Sequence, residues 1–128
     1  MAELHRIMYV EDELDIQAVA KLALEALGGF TVKVCSSGQE ALASIAEFAP
    51  DIVLLDVMMP GMDGFATLKI LRTMPDMEKM PVIFMTAKVQ PSEVREYKNM
   101  GALDVIPKPF DPMTLAESVK CIWTKAHG

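Results

Sequence analysis

Short apolar runs alternate with helical patterns five times along the 128 residues of this chain. The apolar runs lie at 6–10, 30–35, 51–57, 81–86 and 103–106. After each run, apolar residues recur every three or four positions, which is the period of an amphipathic helix. Strands and helices that alternate at this spacing form right-handed βαβ crossovers around a parallel sheet. The pattern therefore predicts an α/β domain.

The third apolar run, DIVLLDV at 51–57, is apolar on both faces, as expected of a central parallel strand covered by helices on both sides. The five predicted helices lie at about 14–27, 37–48, 65–74, 91–100 and 111–125. Five strands and five helices of this length predict a doubly wound, flavodoxin-like fold with strand order 2-1-3-4-5.

Length and composition limit the class of protein. A chain of 128 residues fits one domain with one core, so we expect a single domain over residues 1–128 without an output domain. A net charge of −6 disfavours direct binding of nucleic acid, because phosphate backbones attract clustered lysine and arginine. No apolar run approaches the ~20 residues of a membrane span, and no secretory signal opens the chain. We therefore expect a cytoplasmic protein.

Three carboxylates follow two neighbouring strands of the predicted sheet. In an open α/β sheet with this order, ligands bind where strands 1 and 3 end. Strand 1 ends in Glu11 and Asp12, and strand 3 ends in Asp56. Like charges this close raise each other's pKa unless a cation compensates, and Mg²⁺ prefers carboxylate oxygens. The alternative is that each acid is an ordinary strand-end or helix-capping residue.

A hydroxyl and an ammonium group are expected at the same edge. Thr86 ends strand 4, and Lys108 follows strand 5. The three carboxylates, one Mg²⁺ and Lys108 sum to zero charge, so such a site could accept an anion. A carboxylate can attack phosphorus and form an acyl phosphate, while a metal and positioned donors neutralise the developing charge. Asp56 is the candidate nucleophile.

Four segments, in order and on the expected elements, carry a resemblance to a known family. They are 10–13 (VEDE), 54–64 (LLDVMMPGMDG), 85–88 (MTAK) and 108–110 (KPF). Together they resemble the receiver domain of response regulators, and the resemblance covers nearly the whole chain, from Ile7 to about Thr124.

The resemblance implies a role for each acid. Asp56 matches the phosphoacceptor, and Glu11 and Asp12 match the acidic pair that positions Mg²⁺, for which Mn²⁺ could substitute. Met58 matches the position whose backbone carbonyl binds the metal, so its side chain need not be a ligand.

The resemblance also implies the parts of a switch. Thr86 matches the hydroxyl that moves toward the phosphoryl group, and Lys108 matches the lysine that contacts a phosphoryl oxygen. The Lys108–Pro109 peptide is expected to be cis, as in the family. Receivers often carry Tyr or Phe three residues before the lysine, but that position is Val105 here. Either the readout uses backbone and loop shifts, or the coupling is weaker.

A receiver implies a signalling switch rather than a metabolic enzyme. The expected phosphodonor is a histidine kinase or phosphotransfer protein, with Mg²⁺-dependent autophosphorylation from small donors and slow self-dephosphorylation as side activities. A separate output protein is expected to bind the face of helix 4, strand 5 and helix 5, and the receiver to be a monomer or weak dimer. A lone tryptophan, Trp123, suits core packing, with a partner contact as the alternative.

Two other functions fit the residues less well. A phosphatase of the haloacid-dehalogenase type carries a second acid two residues after its nucleophile, where this chain has Met58. A degenerate receiver that binds partners without phosphorylation would normally have lost a site residue, and none is lost here.

Overall fold

The computed structural model describes residues 3–127 and contains one parallel sheet of five strands. The strands are β1 (Arg6–Val10), β2 (Thr31–Cys35), β3 (Ile52–Asp56), β4 (Val82–Thr86) and β5 (Asp104–Pro107). They pair in the order β2-β1-β3-β4-β5, which confirms the predicted doubly wound fold.

Five helices cover the two faces of the sheet. They are α1 (Leu14–Leu22), α2 (Gly38–Phe48), α3 (Gly64–Leu71), α4 (Pro91–Asn99) and α5 (Leu115–His127). α1 continues as a π-helical turn over Ala23–Leu27, which the periodicity of the sequence did not predict. None of the helices within residues 3–127 combines the length and the apolar character that crossing a bilayer requires.

Two helix ends differ from the prediction. α3 stops at Leu71, three residues early, and turns occupy the segment up to β4. α5 begins at Leu115 rather than near residue 112, although Asp111 forms the predicted cap: its carboxylate accepts from the Met113 N–H, and its carbonyl accepts from the N–H groups of both Thr114 and Leu115. The additional bond from Thr114 tightens this first turn, so the regular helix starts only at Leu115.

The core lies in two layers, one on each face of the sheet. All five residues of β3 and all five of β4 are buried, as expected for central parallel strands. Trp123 packs in the layer formed by α1 and α5, beside the fully buried Val119, which confirms its predicted place in the core. The layers hold the strand ends in register and so determine where the strand-end side chains meet.

Helix starts are fixed by local hydrogen bonds. The Ser37 hydroxyl accepts from the Glu40 N–H at 3.1 Å, and the Asp63 carboxylate accepts from the Ala66 N–H at 2.8 Å. Such caps satisfy backbone donors that a helix leaves open at its first turn. The Asp63 cap sets the direction of the loop between Asp56 and α3.

The Arg72 guanidinium joins two loops at the edge where β4 and β5 begin. Its Nη1 donates to the carbonyls of Met77 (2.9 Å) and Met80 (2.8 Å), and its Nη2 donates to the carbonyl of Gly101 (2.9 Å). Three carbonyls in two loops are thus bound by one planar, permanently charged group. This edge of the sheet lies opposite the strand ends that carry the acids.

Candidate functional site

Three carboxylates meet where β1 and β3 end. Oxygen atoms of Glu11, Asp12 and Asp56 all lie within 4.8 Å of one another. β1 and β3 are neighbours in the sheet, so Glu11 and Asp56 leave adjacent strands at the same edge. Glu11 is 0% exposed and Asp56 is 2% exposed, whereas Asp12 is half-buried. The predicted cluster is therefore present, and two of its three acids are shielded from water.

Lys108 lies between the two buried acids. Its ammonium is 2.8 Å from Glu11 Oε1 and 3.3 Å from Asp56 Oδ1, and its side chain is 19% exposed. The Lys108 N–H donates to the Thr86 carbonyl at 2.9 Å, which holds the start of the β5–α5 loop against the end of β4. The Lys108–Pro109 peptide is cis, as expected.

One ammonium group cannot neutralise the charge of two buried carboxylates. The pKa values of the two acids are shifted as a result. Burial and the charge of Glu11 together raise the pKa of Asp56 to about 7, although Lys108 acts to lower it. Burial also acts to raise the pKa of Glu11, but hydrogen bonds from Lys108 and from protonated Asp56 lower it overall. Desolvation acts to lower the pKa of Lys108, yet its bond to Glu11 and the charge of Asp56 raise it. The metal-free site therefore holds a proton on Asp56 near neutral pH.

Asp56 Oδ2 offers a test of whether a cation fits. This oxygen is buried and, within residues 3–127, has no hydrogen-bond partner in its ionised form. Buried polar atoms without partners are rare, and a bound cation would supply the missing interaction. Mg²⁺ takes oxygen ligands and commonly binds one or two carboxylates together with water. The donor set of Glu11, Asp12 and Asp56 fits that ion.

Thr86 and Met58 flank the acids. Thr86 ends β4, next to β3, and is buried; its hydroxyl accepts from the Lys88 N–H at 3.1 Å. The Met58 side chain is 69% exposed and follows Asp56 by two residues. The role of the Met58 backbone carbonyl as a metal ligand stays a prediction.

Two residues that contact the site were not predicted from the sequence. Tyr9 is buried beneath the acids, with its hydroxyl 3.4 Å from Glu11 Oε1, and burial raises its pKa. A signal existed for it, since residues two apart on a strand share a face. The Gln17 amide of α1 donates to the Glu11 carbonyl and to the Ser36 hydroxyl. No pattern in the sequence pointed to Gln17.

The loop after β3 closes tightly on Asp56 through Gly64. The Gly64 N–H donates to the Val57 carbonyl at 2.9 Å. A Cβ at Gly64 would lie 2.6 Å from the Asp56 carbonyl oxygen and 2.8 Å from Val57 Cα, both of them backbone atoms that cannot easily move. The absence of a side chain at Gly64 therefore allows the loop to pack where it does.

We expect Gly64→Ala to lower the free energy of unfolding by about 1–3 kcal/mol, the usual cost of overpacking, and to displace Asp56. Urea unfolding measures the first effect, and the chemical shifts of the Asp56 and Val57 amides measure the second. Gly61→Ala is the control: Gly61 has a φ of 73°, but nothing lies within 4 Å of its Cβ position. It should cost backbone strain alone, and equal shift changes in both variants would contradict the close approach at Gly64.

The sequence matches the family model described as the response regulator receiver domain over residues 7–120. Among curated proteins, it is 38% identical to the regulatory protein AtoC of Escherichia coli over 87% of this chain and 23% of that protein. It is 36% identical to the phosphate regulon transcriptional regulatory protein PhoB of Rhizobium meliloti over 96% of this chain and 54% of that protein. The chain thus spans about half or less of the length of these relatives.

Solved structures with the same fold include chemotaxis response regulator CheY4 of Vibrio cholerae. It is 28% identical to this chain, with a TM-score of 0.85, over 94% of this chain and 99% of that one. A response regulator from Desulfuromonas acetoxidans is 27% identical, with a TM-score of 0.81, over 94% and 98% of the two chains.

Proposed function

Because the chain belongs to the response regulator receiver domain family of two-component signalling, we propose that it is a switch in which Asp56 accepts a phosphoryl group in a Mg²⁺-dependent reaction. The phosphodonor is a histidine kinase or a phosphotransfer protein. The chain acts as one receiver domain over residues 1–128, in the cytoplasm, and not as a metabolic enzyme.

Asp56 Oδ2 is the observation that carries this proposal. It is a buried carboxylate oxygen without a hydrogen-bond partner among the described residues, beside a second buried acid and a lysine. An acid kept only for stability would be expected to satisfy both of its oxygens. An acid kept for metal binding and nucleophilic attack needs one oxygen that no protein donor occupies once the acid is ionised.

Glu11, Asp12, Asp56 and the Met58 carbonyl would hold the metal, which supplies positive charge against the phosphoryl oxygens when bound. Asp56, ionised, attacks the phosphorus atom of the donor with one carboxylate oxygen. The new O–P bond replaces the bond from phosphorus to the donor, which leaves with that electron pair. Water attack at phosphorus later releases inorganic phosphate and restores the carboxylate.

Lys108 and Thr86 respond to the new anion. Lys108 now lies against Glu11 and Asp56, from which its ammonium can turn to a phosphoryl oxygen. The Thr86 hydroxyl, at the end of the neighbouring strand, can donate to another phosphoryl oxygen. A phosphorylated Asp56 is about one charge unit more negative than the ionised carboxylate, because the second phosphate pKa lies near 6. The change favours a rearrangement of the loops that carry these two residues.

The output of the switch is altered binding to a separate protein on the face of α4, β5 and α5. Its exposed charged residues include Lys98 and Glu117. We propose no direct binding of nucleic acid, in keeping with the net charge of −6, and a monomer or weak dimer in solution. A haloacid-dehalogenase-type activity is disfavoured, because Met58 offers no acid at the position where those enzymes carry one.

Incubation with acetyl phosphate should add one phosphoryl group to the protein, as read by intact mass, and only with Mg²⁺ present. Asp56→Asn should show no gain. Asp63→Asn is the matched control in the same loop: asparagine caps a helix as well as aspartate, so phosphorylation should persist. A gain of mass that survives Asp56→Asn or removal of Mg²⁺ would contradict the proposal, as would failure to bind beryllofluoride with Mg²⁺.

A further inference from the structure

Tyr97 brings an aromatic ring from α4 to the region beneath Thr86. The ring is buried and lies 5.6 Å from the ring of Phe84 in β4 and 5.7 Å from the ring of Phe65 in α3. Val105 pairs with Phe84 across the sheet and packs half-buried against the same core layer. The aromatic bulk on this side of the sheet therefore comes from α4, while β5 contributes a valine.

The Tyr97 hydroxyl binds the loop that begins at Thr86. It donates to the Lys88 carbonyl at 3.1 Å, and the Lys88 N–H donates to the Thr86 hydroxyl at 3.1 Å. Burial raises the pKa of the Tyr97 phenol, and a hydrogen-bonding interaction with the Thr86 side chain acts in the opposite direction. The backbone of Lys88 is thus held from both sides, by Thr86 through its N–H and by Tyr97 through its carbonyl.

We propose that Tyr97 is the aromatic positioning residue of this switch, which ties the orientation of the Thr86 hydroxyl to the position of α4 through the backbone of Lys88. The inference rests on the proposed function, in which Thr86 turns toward a phosphoryl group on Asp56. It supplies from α4 the aromatic coupling that is absent at Val105.

The geometry gives the coupling a direction. When the Thr86 hydroxyl turns to a phosphoryl oxygen, the Lys88 N–H loses its acceptor, and the loop from Ala87 to Gln90 has to rearrange. The bond from Tyr97 to the Lys88 carbonyl resists that rearrangement and so favours the resting state. Because coupling between two sites is reciprocal, weakening the Tyr97 bond must strengthen binding of a phosphoryl analogue at Asp56.

Tyr97→Phe tests this directly, because it removes the hydroxyl and keeps the ring. In the presence of Mg²⁺, the variant should bind beryllofluoride about two- to tenfold more tightly than the parent protein, the range expected for loss of one hydrogen bond from the resting state. In the unmodified, metal-free protein, amide hydrogen exchange of residues 87–90 should be faster in the variant. The Lys88 carbonyl lies at an exposed residue where water can replace the phenol, so the variant should fold.

Two further variants separate coupling from general loosening. Thr67→Val also removes a buried hydroxyl bonded to a backbone carbonyl, that of Asp63 at 2.8 Å, but on the α3 side of the site. It should leave beryllofluoride affinity and exchange of residues 87–90 unchanged. In the metal-free protein, Thr86→Ala and Tyr97→Phe should accelerate exchange of these amides by less together than the sum of their separate effects, because both act through Lys88.

The outcomes distinguish the two proposals. If the parent protein does not bind beryllofluoride, both the phosphorylation of Asp56 and the role of Tyr97 are overturned. If the parent binds and Tyr97→Phe matches it in affinity and exchange, the role of Tyr97 alone is overturned. Additive effects of Thr86→Ala and Tyr97→Phe on exchange would overturn it as well, since independent residues do not share Lys88.

Discussion

Lys108→Met should lower the free energy of unfolding of the metal-free protein at pH 8 by about 3–5 kcal/mol, the usual cost of removing one partner from a buried ion pair. Lys108 is the cation within reach of two buried carboxylates, at 2.8 Å from Glu11 and 3.3 Å from Asp56. Without it, the two acids repel each other in a site with little water. Methionine keeps much of the volume and the apolar stem, so the loss is chiefly electrostatic.

Urea unfolding in the presence of EDTA measures this loss, and saturating Mg²⁺ should restore most of it because the ion replaces the missing charge. Lys98→Met is the matched control. Lys98 lies 3.8 Å from Asp104, with its side chain 51% exposed, and such surface pairs contribute less than about 1 kcal/mol. Equal destabilisation by the two substitutions, or no rescue by Mg²⁺, would contradict the electrostatic account of the site.

Asp56→Asn should have the opposite effect on stability: it should raise the free energy of unfolding of the metal-free protein at pH 8 by about 1–3 kcal/mol. Burial and the neighbouring Glu11 raise the pKa of Asp56 to about 7. Between its ordinary pKa near 4 and pH 7, the unfolded chain has released this proton while the folded protein retains it. The contribution of Asp56 to stability therefore falls as pH rises through that window and stays low above it.

Urea unfolding of both proteins from pH 4 to 8, with EDTA, checks the sign. The two curves should approach each other towards pH 4, where the unfolded chain begins to hold the Asp56 proton as the folded protein does, and separate as pH rises to 7. In saturating Mg²⁺ the order should reverse, because asparagine cannot replace the charged ligand. A parent protein that gains stability relative to Asp56→Asn between pH 4 and 7 without metal would refute the raised pKa.

Much of the fold and of the acid cluster follows from the sequence for one physical reason. Parallel strands of a doubly wound sheet end at a common edge, so residues that follow the apolar runs must meet there. That rule brought together Glu11, Asp12 and Asp56, although more than forty residues separate the last from the others. It needed only the apolar pattern and the strand order.

Features that depend on loop backbone did not follow from the sequence. Tyr97 lies in a mostly polar helix, and its spacing could predict a buried face but not a bond to the Lys88 carbonyl. That bond depends on how the β4–α4 loop turns, which no periodicity encodes. The start of α5 differs from the prediction for a related reason: the Asp111 carbonyl accepts from Thr114 as well as from Leu115, and the tighter first turn delays the regular helix.

The Arg72 guanidinium fixes one end of α4, so that the helix can tilt only by moving its other end. It binds the Gly101 carbonyl just after the helix and so holds the end that lies far from the acids. The other end, at Pro91, follows the loop whose Lys88 backbone is bound by Tyr97 and Thr86. The nine residues of α4 make an arm of about 13 Å, so a tilt of about 10° would swing the Pro91 end by about 2 Å. A small rotation of the Thr86 hydroxyl, as proposed, can therefore become a displacement that a protein partner can detect, and the displacement is largest at the Pro91 end of α4.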